Sequence, residues 1–261
     1  MIKILYRLMT MEEGDIKSRL IKRGIKIGYP GVEGVILDTR PFDIGQWPGL
    51  KVISRVGVGL DNIDLEACKE RDIEVFNTPC VALTVAVAEF TLMLILRLLK
   101  GSLPARNLKR MSVGIIGYGR IGCYFRTLIG DVLHCGVMVY DDDLNITSHA
   151  KGDLLENCDI VTIHVSGDEC VIGEEELELM KDGSYLINTA RRGCIDEKAV
   201  AQALLNGKLA GFASDVNYKM LLRSHHQNVI LTSHVAGATL EAREEMEEIA
   251  VENLLKGFKD V

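Results

Sequence analysis

Ten consecutive residues limit the folds open to this chain more than any others: Val113-Gly-Ile-Ile-Gly117-Tyr-Gly119-Arg-Ile-Gly122. An apolar β-branched run feeds straight into G-x-G-x-x-G, and a helical stretch follows over residues 121–129. Each glycine has its own physical reason. Gly117 allows the tight turn, Gly119 lets the backbone approach a pyrophosphate, and Gly122 lets the helix pack on the strand. The helix start then offers unpaired N–H groups and a favourable dipole to the phosphates. Alone the pattern is weak. Its context is a strand before, a helix after, and acids about 20 residues further on. Those acids are Asp141, Asp142 and Asp143, at the end of the strand 137–140. Asp141 follows Tyr140 directly and is best placed to accept bonds from ribose hydroxyls. A carboxylate there repels a 2′-phosphate, so NAD is favoured over NADP.

On both sides of this turn the chain alternates short apolar runs with helical stretches. Residues 1–8 read as a strand and 12–22 as a helix with Ile16 and Leu20 on one face. Runs at 34–38, 51–55 and 74–77 are bounded by turn residues, with a helix over 64–71 that Asp64 can cap. A long helix over 85–99 stops at Gly101, with Pro104 just beyond. Strands at 113–116, 137–140, 160–165, 185–188, 211–215 and 229–232 then alternate with helices at 121–129, 174–180 and 197–206, and 154–155 opens a further short helical stretch. Residues 240–256 close the chain as a Glu-rich amphipathic helix. This is the signature of a parallel α/β sheet. The expected architecture is a Rossmann-type doubly wound sheet plus a smaller flavodoxin-like α/β domain. The boundary falls near Thr84, giving an NAD-binding domain over 84–238 and a substrate domain over 1–83, joined by 239–261 if the last helix packs back.

At 261 residues the chain can bury a sizeable core. Thirty basic against 37 acidic residues leave −7, which disfavours binding to a nucleic-acid backbone. The seven cysteines include no C-x-x-C pair, so a structural zinc site is not expected. With residues 1–9 too short and too charged for a secretory signal, the simplest reading is reduced thiols in a cytoplasm. Residues 81–99 are apolar but contain Glu89 and Arg97, which suits a buried helix better than a membrane span.

Three later strand ends carry polar groups: His164-Val-Ser, Asn188-Thr-Ala-Arg191-Arg192-Gly193 and Thr232-Ser-His234-Val-Ala-Gly237. Ligands of doubly wound sheets lie beyond such ends. An Arg offers a planar fork for a carboxylate, and a His titrates near neutrality. Either residue alone is also compatible with a purely structural role; together, beside a dinucleotide cradle, they point to catalysis on a small acid.

Taken in order, these blocks resemble the D-isomer-specific 2-hydroxyacid dehydrogenase family, whose members include phosphoglycerate, glyoxylate/hydroxypyruvate, D-lactate, formate and phosphite dehydrogenases. The likeness begins at Lys51-Val-Ile-Ser-Arg-Val-Gly57-Val-Gly59-Leu-Asp61-Asn62-Ile-Asp64. It continues through Asn77-Thr-Pro79, Ala86-Val-Ala-Glu89 and the cradle to Cys158-Asp-Ile-Val-Thr-Ile-His164. It ends with Leu186-Ile-Asn188-Thr-Ala-Arg191, Asp215-Val and Asn228 to Gly237. The resemblance implies a two-domain enzyme with its active site in the cleft. Backbone N–H groups of Val56, Gly57, Val58 and Gly59, together with Arg191, would hold the substrate carboxylate. His234 would exchange the hydroxyl proton as hydride moves between C2 and the nicotinamide. Thr84, Arg120, Ile121, His164, Thr189, Ala190, Asp215 and Gly237 join the cradle as cofactor contacts, with Asp215 matching the acid that bonds the carboxamide. For Asn62 and Asp64, loop and helix capping is at least as good a reading as a direct role.

Some positions depart from the family pattern. Met220 stands five residues after Asp215, where the family usually has a Glu that bonds the catalytic His. No Asp or Glu lies between Asp215 and His234. That predicts an acid reduction that fades at lower pH than in members with the Glu. Met220 could equally fill an apolar gap, with His225 or His226 orienting His234. Arg192 replaces the usual Gly and reads either an extra anionic group or solvent. Ser166 and Ser233 replace prolines. One helix–strand unit is expected to be missing between Lys26 and Gly34. Residues 101–110 are shorter than the family's usual dimerisation arm, which weakens the case for a homodimer. The expected activity is oxidoreduction of a small 2-hydroxy or 2-oxo carboxylate, or a phosphonate analogue. The alternative is a catalytically weak NAD(H)-binding regulator on the same fold.

Overall fold

The computed structural model describes residues 3–7, 26–27, 31–101, 104–143, 149–223 and 227–260. The helix expected over 12–22 and the two histidines His225 and His226 lie outside these residues. By its contacts the chain divides into Met1–Leu83 with Thr239–Val261, and Thr84–Ala238.

The first unit holds a parallel sheet of β1 (Lys3–Arg7), β2 (Lys26–Ile27), β3 (Gly34–Leu37), β4 (Val52–Arg55) and β5 (Glu74–Phe76). Its order is β2-β1-β3-β4-β5. The stretch from Lys26 to Gly34, where a helix–strand unit is expected to be missing, opens with β2 itself, a two-residue edge paired to β1 at Lys3–Lys26 and Ile4–Ile27. Strand residues alternate between faces, so the sheet builds two cores. Val35, Leu37 and Ile53 pack with Ile44, Leu50, Ile63 and Cys68. Ile36 and Val52 pack with Ala250, Val251 and Leu254 of the closing helix Leu240–Asp260, which thus returns to the first sheet. Its Gly257 lets it come that near, because a β-carbon there would stand 2.9 Å from Val52 Cγ1. Helix α1 (Leu65–Glu70) starts at Asp64, whose carboxylate accepts the Ala67 N–H at 2.9 Å.

Helix α2 (Val81–Gly101) leads into the second unit. By length and composition alone it could cross a membrane, with mean hydropathy 2.0. In the fold its Leu94, Ile95, Leu98 and Leu99 pack with Val113 and Ile115 of the second sheet. Burying an aliphatic side chain in this way contributes about 1.5–3 kcal/mol.

The second sheet contains β6 (Ser112–Ile116), β7 (Gly136–Tyr140), β8 (Ile160–Ile163), β9 (Ser184–Asn188), β10 (Leu209–Ser214) and β11 (Val229–Leu231). All are parallel, in the order β11-β10-β9-β8-β6-β7. The chain moves from β6 to β7 on one side, then returns to β8 on the other. That reversal is the topological switch point where ligands of such sheets bind. Helices α3 (Arg120–Arg126), α4 (Lys151–Asn157), α5 (Glu174–Leu179) and α6 (Glu197–Leu205) cross between strands. After α3 the chain widens into a π-turn over Thr127–Val132, where a single α-helix to 129 is expected from sequence. The turn runs through Gly130, a weak helix former. A five-residue helix α7 (Lys219–Arg223), unforeseen in the sequence, carries Met220.

Candidate active site

The carboxyl edge of the second sheet gathers most of the candidate residues. Following the strand order, it presents His234 beyond β11, Asp215 after β10, Arg191 beyond β9, His164 after β8, Gly117 after β6 and Asp141 after β7.

At the glycine-rich turn the three glycines differ as the sequence predicts. Gly117 has φ +92°, and a β-carbon there would stand 2.7 Å from the backbone of His164. A β-carbon on Gly122 would collide with the Gly117 carbonyl oxygen, whereas on Gly119 it would meet nothing within 4 Å. Two glycines are thus demanded by packing and the third leaves room over the helix start. Asp141 closes the turn from the side: its Oδ2 accepts the Tyr118 N–H at 2.6 Å and its Oδ1 the Asp143 N–H at 3.0 Å. Arg120 is exposed and Ile121 half-buried in the first turn of α3. A dinucleotide fits this arrangement, with open backbone at Gly119 for pyrophosphate and an anchored carboxylate at the ribose end.

His164 is buried, and among the described residues neither ring nitrogen has a hydrogen-bond partner. Its ring lies 5.3 Å from that of Phe125 on α3. Burial pulls its pKa down to about 4, so the imidazole is neutral at physiological pH.

His234 is exposed and has φ +56°, a left-handed backbone that costs a non-glycine residue about 1–2 kcal/mol. Asp215 holds it there. The buried carboxylate accepts the Thr232 hydroxyl at 2.6 Å and the Val235 N–H at 2.9 Å on Oδ1, and the Ala236 N–H at 2.7 Å on Oδ2. Asp215 therefore secures the His234 turn, a task the sequence does not reveal. Gly237 is half-buried in the same turn.

The Arg191 turn is fixed by several groups. Asn188 is fully buried; its Nδ2 donates to the Arg191 carbonyl and to Tyr218 Oη, each at 2.7 Å, and its Oδ1 accepts the Ala190 N–H at 2.9 Å. Tyr218 Oη in turn donates to the Arg192 carbonyl at 3.0 Å. Asp168 Oδ1 accepts the Gly193 N–H at 2.5 Å. The Thr189 hydroxyl meets that of Thr91, buried in α2, at 3.1 Å. Arg192 is exposed to solvent, with its Nη2 3.3 Å from Glu197 Oε2. Glu197 Oε1 accepts the N–H groups of Met220 and Leu221 at 2.5 and 3.2 Å. Met220 itself is 42% exposed and fills no apolar gap. Of these groups, Asp168, Glu197 and Tyr218 drew no attention in the sequence; only their distant placement beside the turn reveals them.

In the first unit, the loop expected to bind a carboxylate is partly committed to its own fold. The Val56 N–H donates to the Leu37 carbonyl at 2.8 Å, and the Gly57 N–H to Thr78 Oγ1 at 2.6 Å. Those two amides are satisfied internally, which removes them from the expected set. No described residue takes the N–H of Val58 or Gly59, while the Val58 carbonyl accepts from Asn77 Nδ2 at 2.9 Å. Asn62 Nδ2 ties the carbonyls of Asp38 and Arg40 at 2.9 and 2.8 Å, and Arg40 pairs with Asp38 at 2.8 Å. Asn62 and Asp64 thus serve loop and cap, the plainer of their two readings. Thr84 is half-buried in the first turn of α2. Among the described residues no group of His, Cys, Asp or Glu is placed to hold a metal ion.

This combination of a doubly wound sheet, a glycine-rich dinucleotide turn and polar strand ends defines a nicotinamide-dependent oxidoreductase type of scaffold. Residues 97–236 match the family described as D-isomer specific 2-hydroxyacid dehydrogenase, NAD binding domain. The chain is 36% identical to a glyoxylate reductase of Thermofilum pendens, over 81% of this chain and 73% of that one. It is 34% identical to an (S)-sulfolactate dehydrogenase of Chromohalobacter salexigens, over 94% and 89%. Among solved structures it is similar to a D-lactate dehydrogenase from Aquifex aeolicus complexed with NAD and lactic acid. There the TM-score is 0.81 and the identity 27%, covering 98% of this chain and 95% of that one. The chain belongs to the D-2-hydroxyacid dehydrogenase family, and its second unit carries that family's NAD-binding domain.

Proposed function

We propose that this protein transfers hydride between NAD(H) and C2 of a small 2-hydroxy or 2-oxo acid. One observation carries the reading: a single parallel sheet edge presents His234, Asp215, Arg191, His164, the glycine-rich turn and Asp141 in strand order. NAD(H) supplies the hydride chemistry when bound. Asp141 receives the ribose and disfavours a 2′-phosphate by charge. The Gly119 backbone and the start of α3 receive the pyrophosphate. Arg191 pairs with the substrate carboxylate. His234 gives a proton to the C2 oxygen in reduction and takes it back in oxidation.

Substrate size follows from these roles: a single carboxylate beside a reducible carbonyl is the minimum ligand. The named relatives act on glyoxylate, which has that unit, and on sulfolactate, which has its reduced form, a carboxylate beside a carbinol. The seven cysteines are all free thiols, which supports a reducing, cytoplasmic setting.

The test is NADH consumption by purified protein with pyruvate, glyoxylate, hydroxypyruvate, longer branched acids, and phosphonate or dicarboxylate analogues. Turnover of at least one acid, lost in His234→Ala while NADH still binds, is the expected result. NADH binding without turnover of any acid would overturn the reading.

A further inference from the structure

The turn that carries Arg191 is bonded to a part of the chain far from it in sequence. Its carbonyls at Arg191 and Arg192 accept from Asn188 and Tyr218, and its Arg192 guanidinium meets Glu197. The same Glu197 carboxylate accepts the first N–H groups of α7, at Met220 and Leu221. So Tyr218, the residue before α7, and Glu197, the first residue of α6, join α7 to the Arg191 turn through two separate links. The Tyr218 link is closed at every atom. Asn188 spends both N–H bonds of its carboxamide, one on the Arg191 carbonyl and one on the tyrosine oxygen, and the tyrosine spends its only proton on Arg192. Tyr218 is 1% exposed and its ring stands edge-on to Phe212 at 5.7 Å, so the hydroxyl has no other place to go.

We infer that Tyr218 and Glu197 are positioning residues for Arg191, setting the turn from which it meets the substrate carboxylate. The inference rests on the reading of Arg191 given above. Burial also pushes the Tyr218 phenol well above its ordinary range, so it is a hydrogen-bond donor at neutral pH. The link gives α7 a function that needs no side chain at position 220. The segment is held by its backbone, by Tyr218 and by the buried Leu221, which leaves Met220 exposed. The turn is also closed from a third side by Asp168 at Gly193, so removing one link loosens the turn without freeing it.

The test uses Tyr218→Phe, which keeps the ring against Phe212 and removes only the hydroxyl, and Glu197→Gln, which keeps an acceptor for the α7 amides and removes the charge facing Arg192. For Tyr218→Phe, KM for the 2-oxo acid is expected to rise about five- to tenfold, with kcat changed less than twofold and NADH affinity unchanged. Hydrogen exchange of the amides at 191–194 is expected to quicken about tenfold, while exchange in the glycine-rich turn stays as in the wild type. Glu197→Gln is expected to show the same pattern at about half the size, and serves alone if Tyr218→Phe does not fold. Unchanged KM with unchanged exchange would overturn the inference, as would equal losses in NADH affinity and kcat, the mark of a general loosening. If the wild type turns over no acid, the functional reading falls by itself. The exchange measurement then still decides whether the two residues hold the turn.

Discussion

The turns that carry His234 and Arg191 stand two strands apart on one sheet edge, and they are secured in opposite ways. The acidic support of the His234 turn comes from one carboxylate: Asp215 accepts three bonds from Thr232, Val235 and Ala236, beside a histidine in a left-handed conformation. The Arg191 turn is held by Asn188, Tyr218, Asp168 and Glu197 together, each making one or a few bonds. A proton-transfer group must sit at one place relative to its substrate, and a single buried anion can define that place sharply. A guanidinium pairing with a carboxylate gains more from a turn braced on several sides. Concentrated support loses more to one substitution than distributed support does.

The contrast breaks first, if it breaks, at Asp215. Asp215→Ala leaves the Val235 and Ala236 amides without their acceptor, while the Thr232 hydroxyl keeps the Ser214 carbonyl at 3.2 Å, and is expected to lower kcat/KM by about 10²–10³, since each unsatisfied donor costs about 1–3 kcal/mol. Steady-state kinetics check this; a loss below tenfold would mean that the His234 turn has other support.

His164, one strand beyond the Arg191 turn on the same edge, has no hydrogen-bond partner for either ring nitrogen among the described residues and acts through burial. Its pKa of about 4 in the fold lies below the ordinary 6.5, so the unfolded chain takes up the proton first as pH falls. The stability it contributes is complete above pH 6.5 and is lost between pH 6.5 and 4, by about 3 kcal/mol. Denaturant melts at pH 7 and 4.5 should show that loss, and His164→Phe should remove most of it. An equal acid loss in the variant would assign the effect elsewhere.

Removing one arm of the distributed support should cost far less than removing Asp215. Asn188→Asp, which turns two donors at the Arg191 turn into an acceptor pair, is expected to raise KM for the acid about tenfold and leave NADH binding as it was. A fall in kcat as large as that of Asp215→Ala would erase the distinction between the turns. The smallest effect is expected at Met220. Met220→Glu adds a carboxylate on α7, and a nearby anion favours an imidazolium. The alkaline limb of 2-oxo acid reduction should then move up by about one pH unit. Superimposable pH profiles of variant and wild type would show that position 220 does not act on His234.

Much of this was legible in the residues because it depends on local chemistry. Period-two apolar runs place Ile115 and Ile187 on one face of the second sheet and Ile116 and Leu186 on the other. The three glycines of the cradle are called for by a turn, an open approach and a close helix, and Asp64 caps its helix as its spacing from Ala67 suggests. Other features were not legible, because they join residues whose separation in sequence says nothing of their distance in space. Thr78 takes the Gly57 N–H from 21 positions away and so withdraws one expected substrate contact. Glu197 reaches Met220 across 23 positions, and Tyr218 reaches Arg192 across 26. The sequence by itself determined the parallel α/β class, the dinucleotide turn and the identity of the polar strand ends, since each follows from periodicity or from residue types within a short span. Only the tertiary structure decided which amides remain unspent, which carboxylate holds His234 and which side chains brace Arg191. A hydrogen bond needs its partners within about 3 Å, and that nearness exists only once the strands lie side by side.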